Sequence, residues 1–458
     1  MTRIGIIGGG PGGYEAALVA AQLGAEVLLV DRDGLGGSAV LTDCVPSKAL
    51  IAVSDVMDEV EDSRALGVEF DAPVGVDLSR LNTRVKALAA AQSRDVERHL
   101  AADGVQVVRA AGRLDGGRRI VTSGAQGEQV HDVDAVLLAT GAHPRILHDA
   151  APDGERILTW TQLYELEALP ERLVVVGSGV TGAEFANAYE SLGSDVVLVS
   201  SRDRVLPGED ADAAAVIEEV FGRRGMTVLA EARAVAARRD GDGVCVTLTD
   251  GSVVEGSHVL MAVGSVPNTA GLGLDTAAVE LDDRGYVRVD RVSRTTAAGV
   301  YAAGDVTGVL MLASVAAMQG RIAMRHALGD AVAPLDLGVV SSTVFTDPEI
   351  ATVGWTQRMV DDGSVHAVSV KLPLARNPRA KMQEITDGFV KIFCRPGSGT
   401  LMGGVVVAPR ASELIHPLSL AVRNGLTADQ VADAFTVYPS LSGSVAEAAR
   451  ELRSVQGG

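Results

Sequence analysis

The sequence predicts an α/β protein of several domains, in which two parallel β-α-β units precede a smaller α+β region. Three observations carry this. The chain has 458 residues, too many for a single hydrophobic core. Its 52 glycines, beside only 3% aromatic residues, suit sheets joined to helices through many tight turns. A strand–glycine–helix pattern also occurs twice in similar form.

The first copy runs Ile4-Gly5-Ile6-Ile7, turns through Gly8, Gly10, Pro11 and Gly13, continues as an Ala-rich helical pattern and reaches a second strand at Val27-Leu28-Leu29-Val30. Such a G-x-G-x-x-G turn lets backbone amides approach a pyrophosphate, with the helix N-terminus stabilising its charge. One such turn is weak evidence; two, each between strand and helix, are strong. Asp31 ends the second strand, where a carboxylate can bind the ribose hydroxyls of an adenosine. Residues from about Leu81 to His99 read as a helix polar on one side, and Gly112 to Val130 as a β-meander. The copy closes on Val136 to Ala139, then Thr140 and Gly141.

The second copy opens at Leu173-Val174-Val175-Val176, turns through Gly177, Gly179 and Gly182, and reaches Val196-Val197-Leu198-Val199. No acid follows that strand; Ser200-Ser201-Arg202-Asp203-Arg204 does. Hydroxyls and guanidinium groups can hold a ribose 2′-phosphate, which favours NADPH over NADH. The plainer reading makes Arg202 and Arg204 solvated loop charges. A second meander spans Gly241 to Val254, and the copy closes on Val259 to Val263 and Gly264. After Gly338 the pattern changes to strands near Val344, Val368 and Val390, then helices near Glu413 and Ala428, a separate C-terminal α+β domain.

A net charge of −19 would repel phosphate backbones and anionic lipid, so nucleic acid is not an expected partner. The three cysteines, Cys44, Cys245 and Cys394, are too far apart for a metal cluster and odd in number for a disulfide framework. The N-terminus lacks an apolar signal segment, and no apolar run reaches bilayer length. A cytoplasmic protein without membrane insertion is expected.

These motifs, with Ala262 to Asn268 (AVGSVPN), Thr296 to Asp305 (TAAGVYAAGD) and Phe345 to Gly354 (FTDPEIATVG), resemble the pyridine nucleotide–disulfide oxidoreductase family, which includes dihydrolipoamide dehydrogenase and glutathione reductase. The resemblance covers nearly the whole chain. It implies two Rossmann-like dinucleotide-binding domains plus a C-terminal α+β dimerisation domain. An FAD-binding domain is expected over 1–147 and 268–337, an NAD(P)-binding domain over 148–267, and a dimerisation domain over 338–458, completing the site across a homodimer. The family's flavin contacts fall on Gly304, Asp305, Leu312 and Ala313, and its flavin-side ion pair on Lys48 and Glu184. Further cofactor contacts are expected at Gly112, Thr140, Gly141 and Gly264.

Two departures from the family pattern constrain function most. Its disulfide reductases carry Gly-Gly-x-Cys-x4-Cys-x-Pro-Ser-Lys, but here Ala39 stands at the first cysteine's place and only Cys44 remains. They end with His-Pro-Thr-x-x-Glu, whereas this chain has Tyr438-Pro439-Ser440-Leu441-Ser442-Gly443. A phenol, with a pKa near ~10, is a poor base at neutral pH. Both halves of the thiol-exchange machinery are missing.

The resemblance then points to an FAD-dependent NAD(P)H:quinone oxidoreductase without lipoamide activity, in which Cys44 lies under the flavin, where a thiolate would tune its potential. Tyr438 is read either as a donor to a quinone oxygen or as a packing residue whose hydroxyl finds some other partner. The alternatives are a soluble transhydrogenase, a peroxidase using Cys44 as a sulfenic acid, and a flavin-loaded binding subunit without catalysis.

Overall fold

The computed structural model of the chain describes residues 1–125 and 127–456. Arg3–Ile7 lies at the centre of a five-stranded parallel sheet, between Glu26–Asp31 and Ala135–Leu138, with Gln106–Arg109 and Val300–Ala302 at the edges. Ile4 and Ile6 are fully buried, as a strand covered on both faces requires. Helix α1 (Pro11–Gln22) returns the chain to Glu26–Asp31. Helix α2 (Cys44–Asp62) and the 25-residue α3 (Leu78–Ala102) follow. Asp77 caps α3 by accepting from the Arg80 amide.

A second parallel sheet repeats this plan around Arg172–Val176, flanked by Asp195–Val199 and His258–Met261. Helices α4 (Val180–Ser191) and α5 (Ala211–Arg223) belong to this unit. Its edge strand Ile157–Leu158 pairs with Val259 and Leu260. At two residues it is too short to leave a periodic signal in sequence. Entry and exit are tied together where Ala142–Pro144 pairs antiparallel with Ser265–Pro267. The chain then returns to give the first sheet its edge strand and helix α6 (Ala313–Ala327).

The duplicated turns share one geometry. Gly8 and Gly177 have φ of +105° and +112°, a region that glycine enters freely. A Cβ on Gly13 would lie 1.9 Å from the Gly8 carbonyl oxygen, and one on Gly182 would lie 1.7 Å from that of Gly177. The third glycine of each motif is therefore required by helix–strand contact.

Both meanders form as three-stranded antiparallel sheets. The C-terminal region is a five-stranded antiparallel sheet in the order Ser341–Val344, Glu349–Gly354, Leu401–Ala408, Phe389–Cys394, Val368–Pro373. Helices α7 (His416–Asn424) and α8 (Gly443–Gln456) complete it. One apolar cluster joins all three units through Leu50 of α2, Trp160, Phe185 and Tyr189, and Phe389 and Phe393. Each such side chain contributes about 1.5–3 kcal/mol through burial, so the units are held as one body.

Candidate active site

The two glycine turns open onto helix ends with no side-chain cap. Gly10 and Gly179 occupy the N-cap positions of α1 and α4 in extended conformation, and neither helix has acidic residues in its first turn. The N-terminal amides and the helix dipole are left for an anion, as a pyrophosphate requires. At the end of Glu26–Asp31, Asp31 accepts from the amides of Gly9 (2.6 Å), Gly34 (2.6 Å) and Asp33 (3.0 Å). Its carboxylate is thereby fixed beside the first glycine turn.

Gly304, at φ +80°, precedes Asp305. The Gly304 amide donates to Oε1 of buried Gln319 at 2.8 Å. The Asp305 side chain has no hydrogen-bond or ion-pair partner among the described residues. Burial pushes it up to about 6, with Asp43 adding to the shift. An unpartnered carboxyl of this kind fits a ligand that supplies hydroxyl donors. Leu312 and Ala313 open α6, whose N-terminus also lacks a side-chain cap.

Lys48 and Glu184 come together from two different units. Lys48 Nζ donates to Glu184 Oε2 at 2.7 Å, and the Phe345 amide donates to Oε1 at 2.9 Å. Both carboxylate oxygens are thus used, with the Glu184 side chain 4% and that of Lys48 33% exposed. The ammonium also lies 4.7 Å from the centre of the Phe345 ring, within cation–π range. Sequence reasoning recognised FTDPEIATVG only as a family mark and missed this role of Phe345. A backbone amide leaves no signature in residue identity.

Cys44 stands at the first position of α2, and Ala39 lies in the short helix Gly37–Leu41 before it. Its thiol is free. The groups around this sulfur work against the expected thiolate. Burial and then the Asp43 carboxylate push the Cys44 thiol up to about 11, against the opposing charge of Lys48. At neutral pH the sulfur is therefore protonated, despite its place at a helix N-terminus. Asp43 could cap α2, yet its side chain makes no capping bond. Burial raises the Asp43 carboxyl as well.

The other residues expected from the sequence lie at four places. Ser200 is fully buried, and its hydroxyl meets Ser178 Oγ at 2.7 Å and the Arg202 amide at 3.1 Å. It faces inward, so the hydroxyl expected to reach a 2′-phosphate is spent on holding the loop. Ser201 and Arg202 are exposed, while Arg204 is half-buried. Thr140 Oγ1 donates to the Asn268 carbonyl at 2.8 Å and so ties the crossover between units. Gly141 and Gly264, at φ +70° and +93°, flank the same crossover. Gly112 packs against Ile7 and Val30 at the top of the first sheet. Tyr438 is 81% exposed, in a stretch with Phe435 at 107% and Val437 at 77%. Among the described residues nothing joins it to Cys44 or Lys48, so within one chain the site lacks its phenol.

Residues 2–320 match the family model described as pyridine nucleotide-disulphide oxidoreductase, and residues 340–449 match its dimerisation domain. The chain belongs to this family. It is 56% identical over 464 residues to an NAD(P)H dehydrogenase (quinone) of Mycobacterium tuberculosis, covering 99% of this chain and 94% of that one. The crystal structure of LpdA from the same organism superposes with a TM-score of 0.95 at 56% identity, covering 99% of this chain and all of the other. A dihydrolipoyl dehydrogenase of Haloferax volcanii is 36% identical over 98% of this chain and 95% of its own length. Membership makes the chain an oxidoreductase that uses FAD and a pyridine nucleotide, and the two capless helix ends, Asp31 and Asp305 fit those groups. No helix among the described residues is long and apolar enough to cross a membrane, and none of their side chains cluster as a metal site.

Proposed function

We propose that this protein is an FAD-dependent NAD(P)H:quinone oxidoreductase that passes electrons to its acceptor without a redox disulfide. One observation carries the reading: the Lys48–Glu184 pair is assembled in full, while the thiol beside it is single and held neutral. The name of the 56% identical mycobacterial relative supports the same acceptor class.

FAD, when bound, supplies hydride acceptance from NAD(P)H and hydride donation to the acceptor. The protein's part is to bind, orient and neutralise charge. The α1 end with Asp31 would hold the FAD pyrophosphate and ribose, and Asp305 would accept from the ribityl or phosphate region. The α4 end would hold the nicotinamide nucleotide, with Ser201, Arg202 and Arg204 offered to a 2′-phosphate and Ser200 setting their loop. Lys48 keeps a positive charge where negative charge develops during reduction, and Glu184 fixes its direction.

The exposed stretch Phe435 to Tyr438 is assigned to a homodimer contact, through which Tyr438 would reach the partner's site and donate to a quinone oxygen. We place the protein in the cytoplasm.

Replacement of Cys44 by serine tests the reading. Quinone turnover driven by NADPH is expected to persist within a fewfold of the unmodified enzyme. Its abolition, with flavin retained, would show that the electrons pass through sulfur.

A further inference from the structure

Arg224, one residue beyond α5, sits where three parts of the chain meet. Its Nη1 lies 3.5 Å from Asp58 Oδ1 on α2, and its Nη2 donates to Asp347 Oδ2 in the turn between Ser341–Val344 and Glu349–Gly354. The guanidinium side chain is 21% exposed and that of Asp58 8%. Both acids are held a second time by α4. Ser191 Oγ donates to Asp58 Oδ2 at 2.9 Å, and the Asp347 amide donates to Asn187 Oδ1 at 3.2 Å.

Glu184, Asn187 and Ser191 follow one another at helical spacing, so they line one face of α4. The same turn supplies the Phe345 amide to Glu184. A short path therefore runs from Arg224 through Asp347 to Phe345, Glu184 and Lys48.

The surroundings explain why a cation is needed. Asp55, Asp62, Glu190 and Glu349 lie close enough to Asp58 or Asp347 to perturb one another. Arg223 and Arg410 also face this group, but Arg223 is paired with Asp387. Without Arg224, the Asp347 carboxylate would lose the charge-assisted bond that holds it toward α5, and the turn would lose that anchor.

We propose that Arg224 is a positioning residue for the Lys48–Glu184 pair, acting through Asp347 and the turn from Phe345 to Pro348. It touches neither cofactor nor substrate in this role. The inference rests on the reading of Lys48–Glu184 as the flavin-side pair, but its first readout does not.

The test compares the flavin-loaded wild type with Arg224→Ala, Arg224→Lys and Asp347→Asn. Amide hydrogen exchange, read on the peptide covering residues 344–349, should quicken about tenfold in Arg224→Ala, the scale of losing one charge-assisted bond. The strand Phe389–Cys394 should be unchanged. The rate of flavin reduction by NADPH should fall about tenfold while KM for NADPH stays within twofold, because the loop at Ser201 and Arg202 is not disturbed. Arg224→Lys should recover part of both effects, and adding Asp347→Asn to Arg224→Ala should add little.

Unchanged exchange in the turn would overturn the proposal, as would faster exchange with undiminished flavin reduction. Should Arg224→Ala fail to fold, Asp347→Asn keeps the side-chain shape and carries the same two expectations. Loss of quinone turnover alone, with these effects intact, would count against the proposed acceptor and not against Arg224.

Discussion

Lys48 and Glu184 lie 136 residues apart in sequence, yet their side chains meet at 2.7 Å across the junction of two nucleotide-binding units. The pair exists only when α2 and α4 are packed together, so the ammonium reports the correct apposition of both units. The Phe345 amide closes the arrangement from the third unit.

Replacing Lys48 by alanine should slow flavin reduction by NADPH about a hundredfold, the scale of removing one preorganised charge donor. Anaerobic stopped-flow absorbance measures this directly. Glu184→Gln keeps the Phe345 bond and loses the charge, so it should fall between alanine and wild type.

The Cys44 thiol predicts a pH effect. A group pushed up to about 11 by burial and Asp43 is almost wholly neutral at pH 8. Alkylation by iodoacetamide at that pH should be more than tenfold slower than for an unperturbed thiol. Asp43→Asn removes the neighbouring negative charge and should speed alkylation, with the midpoint moving down.

Asp58 predicts a stability profile. Burial raises its carboxyl to about 7; Arg224 opposes the shift and Asp347 adds to it. Between the ordinary carboxylate range and about 7, the folded chain holds a proton that the unfolded chain releases. Stability therefore falls as pH rises through that window. Asp58→Asn should flatten the fall in Tm between pH 5 and 7.5, read by thermal unfolding at each pH.

The loop after Asp195–Val199 separates two roles. Arg202→Ala should raise KM for NADPH about tenfold and leave NADH nearly unaffected. Ser200→Ala should instead cost about 1–3 kcal/mol of stability, since it leaves buried partners unsatisfied, with little change in the NADPH-to-NADH ratio. Unfolding and coenzyme kinetics distinguish them.

The glycine turns give a paired prediction. Gly13→Ala places a methyl 1.9 Å from a carbonyl oxygen and should yield protein lacking flavin. Gly182→Ala has the same clash at 1.7 Å in the second unit. It should remain yellow but fail to bleach with NADPH, a difference read from visible spectra.

Much of this was legible in the chain itself. The glycine turns and both meanders follow from periodicity and spacing, and the resemblance to the family marked Lys48 and Glu184 as a pair. What escaped was set by long-range geometry. Ser200 looked like a ligand because its residue type suits phosphate, but its strand-end position turns the hydroxyl inward to Ser178. The resemblance suggested a thiolate at Cys44, but burial and then the Asp43 carboxylate push its thiol the other way. The roles of Phe345 and Arg224 depend on a backbone amide and a three-way junction, neither of which residue identity records.

The most direct test of the central claim is steady-state oxidation of NADPH with a naphthoquinone or lipoamide as sole acceptor. The account predicts sustained turnover with the quinone and none above background with lipoamide. Robust lipoamide reduction would contradict it, because Ala39 and a neutral Cys44 leave no dithiol to carry those electrons.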